Sequence, residues 1–292
     1  MEKDKTSLKI SENSITMDPD YKEPAGRVYP QKTLFSVRGL KKIYGSPSFD
    51  SKKPDRNVDF EALSGVDIDI YEGDTTLIAG ANGSGKTLFM RILAGLLEAS
   101  SGEVLFRGIP VNKCKSILRR SVGLVFQDAD AQILGETIEE DIRFGPENLK
   151  LSEDEIKTRL DDAMAALELS GKQYFPSRHL SGGEKRRLAV AGIIAMGCEA
   201  IIMDEPFANL DWPGVRQVLK IIYDLKRGGK TVIILTHELE KVLALADRLV
   251  ILAGGKIVDE GKCETVLDRL DPAWGVRDPR RDYRKIEDCK WL

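Results

Sequence analysis

Apolar and polar positions follow two different periods along this chain. Leu34-Phe35-Ser36-Val37-Arg38 is the first strand-like alternation, and Val66-Asp67-Ile68-Asp69-Ile70 alternates cleanly toward a turn at Glu72-Gly73-Asp74. Four short runs are mostly apolar: Thr75-Thr76-Leu77-Ile78-Ala79, Val122-Gly123-Leu124-Val125-Phe126, Ala200-Ile201-Ile202-Met203 and Thr231-Val232-Ile233-Ile234-Leu235. These read as buried strands of a parallel sheet. Helical spacing predicts a helix over Leu88 to Leu97 and another over Val215, Val218, Ile222 and Leu225, with Pro213 near its first turn and Gly228-Gly229 as its stop. Residues 135–179 are rich in Glu, Lys and Leu and read as helices. There Ser152-Glu153-Asp154-Glu155 fits a capping box, Ile156, Leu160, Ala163, Met164 and Leu167 form an apolar stripe, and Gly171 is the expected stop. A turn at Ser100–Glu103 leads into Val104-Leu105-Phe106. Arg248 to Leu252 and Lys256 to Asp259, around Gly254-Gly255, read as a closing hairpin. The expected fold is α/β, with a helical insertion.

Between these elements lie polar segments. Residues 1–32 show no period and predict a disordered tail. Gly45 to Asp59 reads as a loop. From Glu264 a short helix gives way to a charged tail, Arg277 to Leu292, suited to a dimer contact or to fraying.

At 292 residues the chain suffices for one large domain or two small ones, and 42% hydrophobic with 31% charged residues is ordinary for a globular protein. A net charge of −3 supplies no basic field for nucleic acid. Cys114, Cys198, Cys263 and Cys289 form no C-x-x-C pair, which argues against a zinc site and for a reducing compartment. The longest apolar run, Leu188 to Cys198, is short of the ~20 residues that span a bilayer, and the polar N-terminus lacks the core of a signal peptide. A cytosolic chain is expected, with any membrane role supplied by a partner.

One stretch carries the chemistry most directly. Gly80-Ala81-Asn82-Gly83-Ser84-Gly85-Lys86-Thr87 has the form G-x-x-x-x-G-K-[ST], lies between a predicted strand and a predicted helix, and runs into Leu88. Its glycines let backbone N–H groups converge on a phosphate chain, and the helix start adds partial positive charge. Lys86 suits the β- and γ-phosphates of a nucleotide and the Thr87 hydroxyl suits Mg²⁺.

Other residues join it by position. Gln127 ends a buried strand, where a glutamine can bind Mg²⁺ and position water or serve as a solvated turn residue. In Leu180-Ser181-Gly182-Gly183-Glu184, Ser181 is a candidate N-cap with Glu184 three residues on. Lys185, Arg186 and Arg187 follow where cations are poorly placed for the helix dipole, which suggests a polyphosphate beside them or a solvated helix face. Asp204-Glu205 ends another buried strand, where paired carboxylates are costly without a metal or a proton. Beside a phosphate loop, Asp204 suits the Mg²⁺ shell and Glu205 suits the attacking water. His237 ends the next strand and can sense a γ-phosphate, whereas His179 reads as structural. Tyr44 can stack on an adenine or simply half-fill a strand position.

In this order the stretches resemble the ATP-binding-cassette (ABC) ATPase family over about residues 33–263. The resemblance implies a phosphate-loop NTPase fold: a RecA-like α/β core, an antiparallel β subdomain and an inserted helical subdomain at about 128–180, with 264–292 as an extension. It makes Gln127 the Q-loop residue, Leu180 to Glu184 a signature acting on the ATP of a partner cassette, Asp211 the D-loop acid and His237 the switch histidine. Gln127-Asp128-Ala129-Asp130-Ala131-Gln132-Ile133, Thr137 to Ile142, Phe144 to Leu149 and Arg186-Arg187 resemble the energy-coupling-factor ATPases of cobalt, nickel and vitamin uptake. The implied partners are a transmembrane transporter subunit and a second cassette, identical or paralogous. The implied location is the cytoplasmic face of the membrane, with no nucleic acid bound. A soluble ABC ATPase of an assembly system, of the iron–sulfur cluster type, is the alternative. The loop after Tyr44 is longer than the family usually has, which leaves Phe60 as a second candidate for the adenine.

Overall fold

The computed structural model describes residues 32–47 and 57–280. The predicted disordered tail up to residue 31, most of the polar stretch after Pro47, and the end of the charged tail with Cys289 lie outside the described residues.

Two long strands, β1 (Thr33–Pro47) and β2 (Asn57–Tyr71), pair antiparallel along most of their length. The expected loop is therefore shorter than its polarity suggested, because Gly45 pairs with Asp59 and Pro47 with Asn57. Next come β3 (Thr75–Ala79), α1 (Lys86–Leu93), β4 (Ser101–Phe106), β5 (Ile109–Pro110), α2 (Lys115–Ser121) and β6 (Val122–Val125). The first helix begins two residues early and ends four early. Gly95, at φ +67°, takes the left-handed turn that stops it, and the amides of Leu96 and Leu97 fold back onto the Arg91 carbonyl.

The insertion contributes α3 (Ile138–Asn148) and α4 (Glu153–Ala166), followed by α5 (Gly182–Met196). All three start with complete capping boxes: Thr137 with Glu140, Ser152 with Glu155 and Ser181 with Glu184. The α4 helix stops five residues before Gly171. Glu168, at φ +56°, occupies the left-handed position, and the buried Leu169 sends its amide back to Met164 O at 2.9 Å. That is a Schellman closure built on a glutamate, so no glycine marked it.

The chain ends with β7 (Ala200–Asp204), α6 (Trp212–Arg227), β8 (Thr231–Thr236), α7 (Leu239–Val242), β9 (Arg248–Ala253), β10 (Lys256–Gly261) and α8 (Cys263–Asp268). Just before the charged tail the chain is packed: Val276 is buried, and Trp274 lies half-buried against the same core as Leu249.

The strands form two sheets. One is antiparallel, in the order β2-β1-β4-β5. The other has six strands in the order β10-β9-β3-β8-β7-β6, parallel except for β10. Alternation explains why the strands of the second sheet read as unbroken apolar runs. Leu77, Ile201, Ile234 and Ile251 face the core under the helices, while Ile78, Ile202, Ile233 and Val250 face the core shared with α1 and the antiparallel sheet. Burying each such side chain is worth about 1.5–3 kcal/mol. Parallel register then fixes the geometry of the site. Ala79 pairs with Thr236, and Asp204 with Leu235, so β3, β7 and β8 all end along one edge. Among the described residues no helix is long and apolar enough to cross a membrane.

Candidate active site

The loop 80–87 is shaped by close approach. A Cβ on Gly80 would lie 2.2 Å from the Leu252 carbonyl oxygen, and one on Gly85 would lie 2.7 Å from the Leu63 side chain. Gly85 also holds φ +104°, outside the range of ordinary side chains. Glycine is thus imposed at both ends by β9 and β2. Asn82 and Gly83 are exposed at the tip, and Ala81 is half-buried beneath them. No side chain caps α1 and its first turn holds no acid, so its leading N–H groups and positive dipole end are available to an anion. Leu88, half-buried, packs against the core behind it.

Lys86 is 6% exposed. Its Nζ donates to Gly80 O at 2.7 Å and Ala81 O at 3.2 Å, and lies 3.6 Å from Glu205 Oε1. The Thr87 hydroxyl donates to Asp204 Oδ2 at 2.7 Å. Asp204 Oδ1 and the Ser84 hydroxyl are both buried without a partner among the described residues. Burial pushes the Asp204 carboxyl above its usual range, more than the Thr87 bond draws it down. A cradle with no room for Cβ atoms, an ammonium resting on loop carbonyls and unpaired buried oxygens together fit a polyphosphate and a hard divalent cation.

Glu205 takes φ +46°, a left-handed conformation that costs about 1–2 kcal/mol for a residue with a Cβ. Its amide donates to Leu235 O at 2.8 Å, and Thr236 Oγ1 donates to its Oε2 at 2.9 Å. His237 Nδ1 lies 3.0 Å from Oε1, with the ring half-exposed. Thr236 escaped the sequence reading, although a hydroxyl ending a buried strand beside His237 was its signal.

Gln127 is exposed just past β6, and its carbonyl accepts from Arg186 Nη2 at 2.9 Å. Gln132 was also missed. Its side chain accepts from the Phe126 amide and donates to Leu124 O, both at 3.0 Å, closing the free edge of β6 as a neighbouring strand would.

One expectation changes. Lys185, Arg186 and Arg187 do not form one cationic cradle. Lys185 pairs with Asp130, Arg187 bonds Gln217, and Arg186 turns inward to backbone carbonyls. Asp211 acts locally as the N-cap of α6, its Oδ1 accepting from Gly214 N at 2.9 Å. Tyr44 lies within β1 opposite Phe60 of β2, 40% and 64% exposed, so the two aromatics share one rung two residues beyond Ala62, whose carbonyl abuts Gly85.

Among the described residues the Leu180–Glu184 side chains make no hydrogen bond to this cluster. Leu180 is buried, Ser181 and Gly182 are exposed, Gly183 is half-buried, and Glu184 bonds both the Ser181 amide and hydroxyl at 2.9 Å. Lys172, at 2.6 Å, and then those bonds pull the Glu184 carboxyl down to about 2.

Comparison with known proteins places this geometry. The ABC transporter family model matches residues 63–208. The chain is 40% identical over 212 residues to the energy-coupling factor transporter ATP-binding protein EcfA of Methanocaldococcus jannaschii, covering 72% of this chain and 76% of that one. It is 41% identical over 219 residues to the cobalt import ATP-binding protein CbiO of Rhodobacter capsulatus, covering 74% and 78%. Among solved structures, cbiO1 of Clostridium perfringens, part of the ABC transporter complex cbiONQ, aligns with a TM-score of 0.70 at 32% identity, covering 82% of this chain and 92% of that one. By sequence match, fold and site together, this chain is an ATP-hydrolysing member of the ABC transporter family.

Proposed function

We propose that the chain is the ATPase subunit of an energy-coupling-factor importer, driving uptake of a metal ion such as cobalt or nickel, or of a vitamin, through a separate transmembrane protein. One observation carries this reading: the buried Lys86, Asp204 and Glu205 and the half-buried Thr87 meet in one cluster at the strand ends, in a chain about 40% identical to EcfA and CbiO proteins.

In this reading the N–H groups of Gly80 to Thr87 and the start of α1 hold the ATP phosphates. Lys86 moves from the loop carbonyls onto the β- and γ-phosphates. Thr87, Asp204 and Gln127 would hold Mg²⁺, which neutralises phosphate charge when bound. Glu205, oriented by Thr236, takes a proton from the attacking water, and His237 contacts the γ-phosphate while bonding Glu205. Tyr44 or Phe60 stacks on the adenine. Leu180 to Glu184 acts on the ATP of a second cassette, the same chain or a paralogue, and the pair sits on the cytoplasmic face of the membrane.

The test is purification of the tagged chain from detergent-solubilised membranes of its own host. A multi-spanning protein in stable stoichiometry is expected. Recovery of soluble assembly proteins alone would contradict the importer reading.

A further inference from the structure

Arg186 takes a charge into the protein interior. It is 5% exposed and lies in the second turn of α5, near the helix end where the dipole disfavours a cation. No carboxylate lies within ion-pair distance of it among the described residues. Its donors meet backbone carbonyls instead. Nη1 donates to Glu205 O at 2.9 Å, and Nη2 to Gln127 O at 2.9 Å and, more weakly, to Ala208 O at 3.5 Å. Nε is buried without a partner. Burial draws the guanidinium pKa down, against a weaker opposing pull from the Asp128 carboxylate, so the charge is held there at a cost.

The three carbonyls belong to two loops at the site. Gln127 follows β6, while Glu205 and Ala208 share the turn between β7 and α6. Glu205 is the strained residue among them, at φ +46°. Its amide donates to Leu235 O, and its carbonyl accepts from Arg186 and from the Ala208 amide at 3.1 Å, so the backbone is held on both sides of Glu205 and Arg186 alone ties it to α5. A planar guanidinium can bridge carbonyls on separate loops at once, whereas an ammonium is a single point.

We propose that Arg186 is a positioning residue for ATP hydrolysis, locking the Glu205 peptide and the Gln127 turn to the start of α5. The Glu205 carboxylate is then correctly aimed only while α5, which carries Ser181 to Glu184, stays docked. This inference rests on the reading of Glu205 as the residue that activates water.

The experiment measures steady-state ATP hydrolysis by the purified full-length chain as wild type, Arg186→Lys, Arg186→Met and Glu205→Gln, with thermal unfolding of each. Arg186→Lys keeps a charge that one carbonyl can take but cannot span the loops. Its expected kcat falls at least about tenfold, with the KM for ATP within about twofold of wild type and folding retained. Arg186→Met should fall further if it folds. A wild-type kcat in Arg186→Lys, or a raised KM with kcat unchanged, would overturn the positioning role. Wild-type turnover in Glu205→Gln would instead overturn the reading beneath it, and the inference with it.

Discussion

The Thr87 hydroxyl and the Asp204 carboxylate meet at 2.7 Å, joining the helix after the phosphate loop to the end of β7 across 117 residues of chain. Asp204 Oδ1 has no partner among the described residues. Thr87→Val would leave both oxygens of a buried carboxyl without a donor, which costs about 1–3 kcal/mol. Urea unfolding of the nucleotide-free protein should show that loss, and Thr87→Ser should recover most of it. An unchanged midpoint in Thr87→Val would contradict the pairing.

Gln132 guards the edge of the parallel sheet. Gln132→Glu keeps the acceptor for Phe126 N but sets a second oxygen against Leu124 O. We expect a loss of about 1–3 kcal/mol near neutral pH, partly recovered in acid as the new carboxyl protonates and can donate. Equal stability across pH 4–8 would mean that the edge is closed by something else.

Glu184 carries a pH signature. Its folded pKa is lowered from 4.5 to about 2, first by Lys172 and then by the Ser181 amide. The unfolded state therefore binds the proton more readily. The stabilisation is complete above about pH 5 and is lost as pH falls from about 4.5 toward 2. Glu184→Gln should flatten that part of the stability curve, in chemical denaturation at several pH values. A slope identical to wild type would rule out the depressed carboxyl.

The C-terminal segment touches the phosphate loop. Gly275 holds φ +68°, and a Cβ there would lie 2.9 Å from Ala81 Cβ. Gly275→Ala should cost about 1–2 kcal/mol in backbone strain and weaken ATP binding by crowding Ala81. Adding Ala81→Gly should restore the affinity but not the stability. Calorimetric titration together with thermal unfolding separates the two, and a full rescue of both would refute the strain.

The legible parts of this chain were those in which one residue type has one physical use. The glycines of the phosphate loop, the apolar runs buried on both faces and the Ser152 and Ser181 caps all read directly from the sequence. What stayed hidden was set by tertiary contact. Glu168 closes a helix in a conformation usually marked by glycine, and Gln132 substitutes for a strand. Arg186 looked like a surface cation beside an anion until its carbonyl partners, one 59 residues away in sequence, were in place. Tyr44 and Phe60 could not be separated from sequence because they are cross-strand neighbours.

The most direct test of the account is ATP binding and single-site turnover in Glu205→Gln. The variant should bind ATP with wild-type affinity, because Lys86 and the loop are intact, and should hydrolyse it at least about a hundredfold more slowly. Wild-type turnover in that variant would remove Glu205 from the reaction and contradict the site as described.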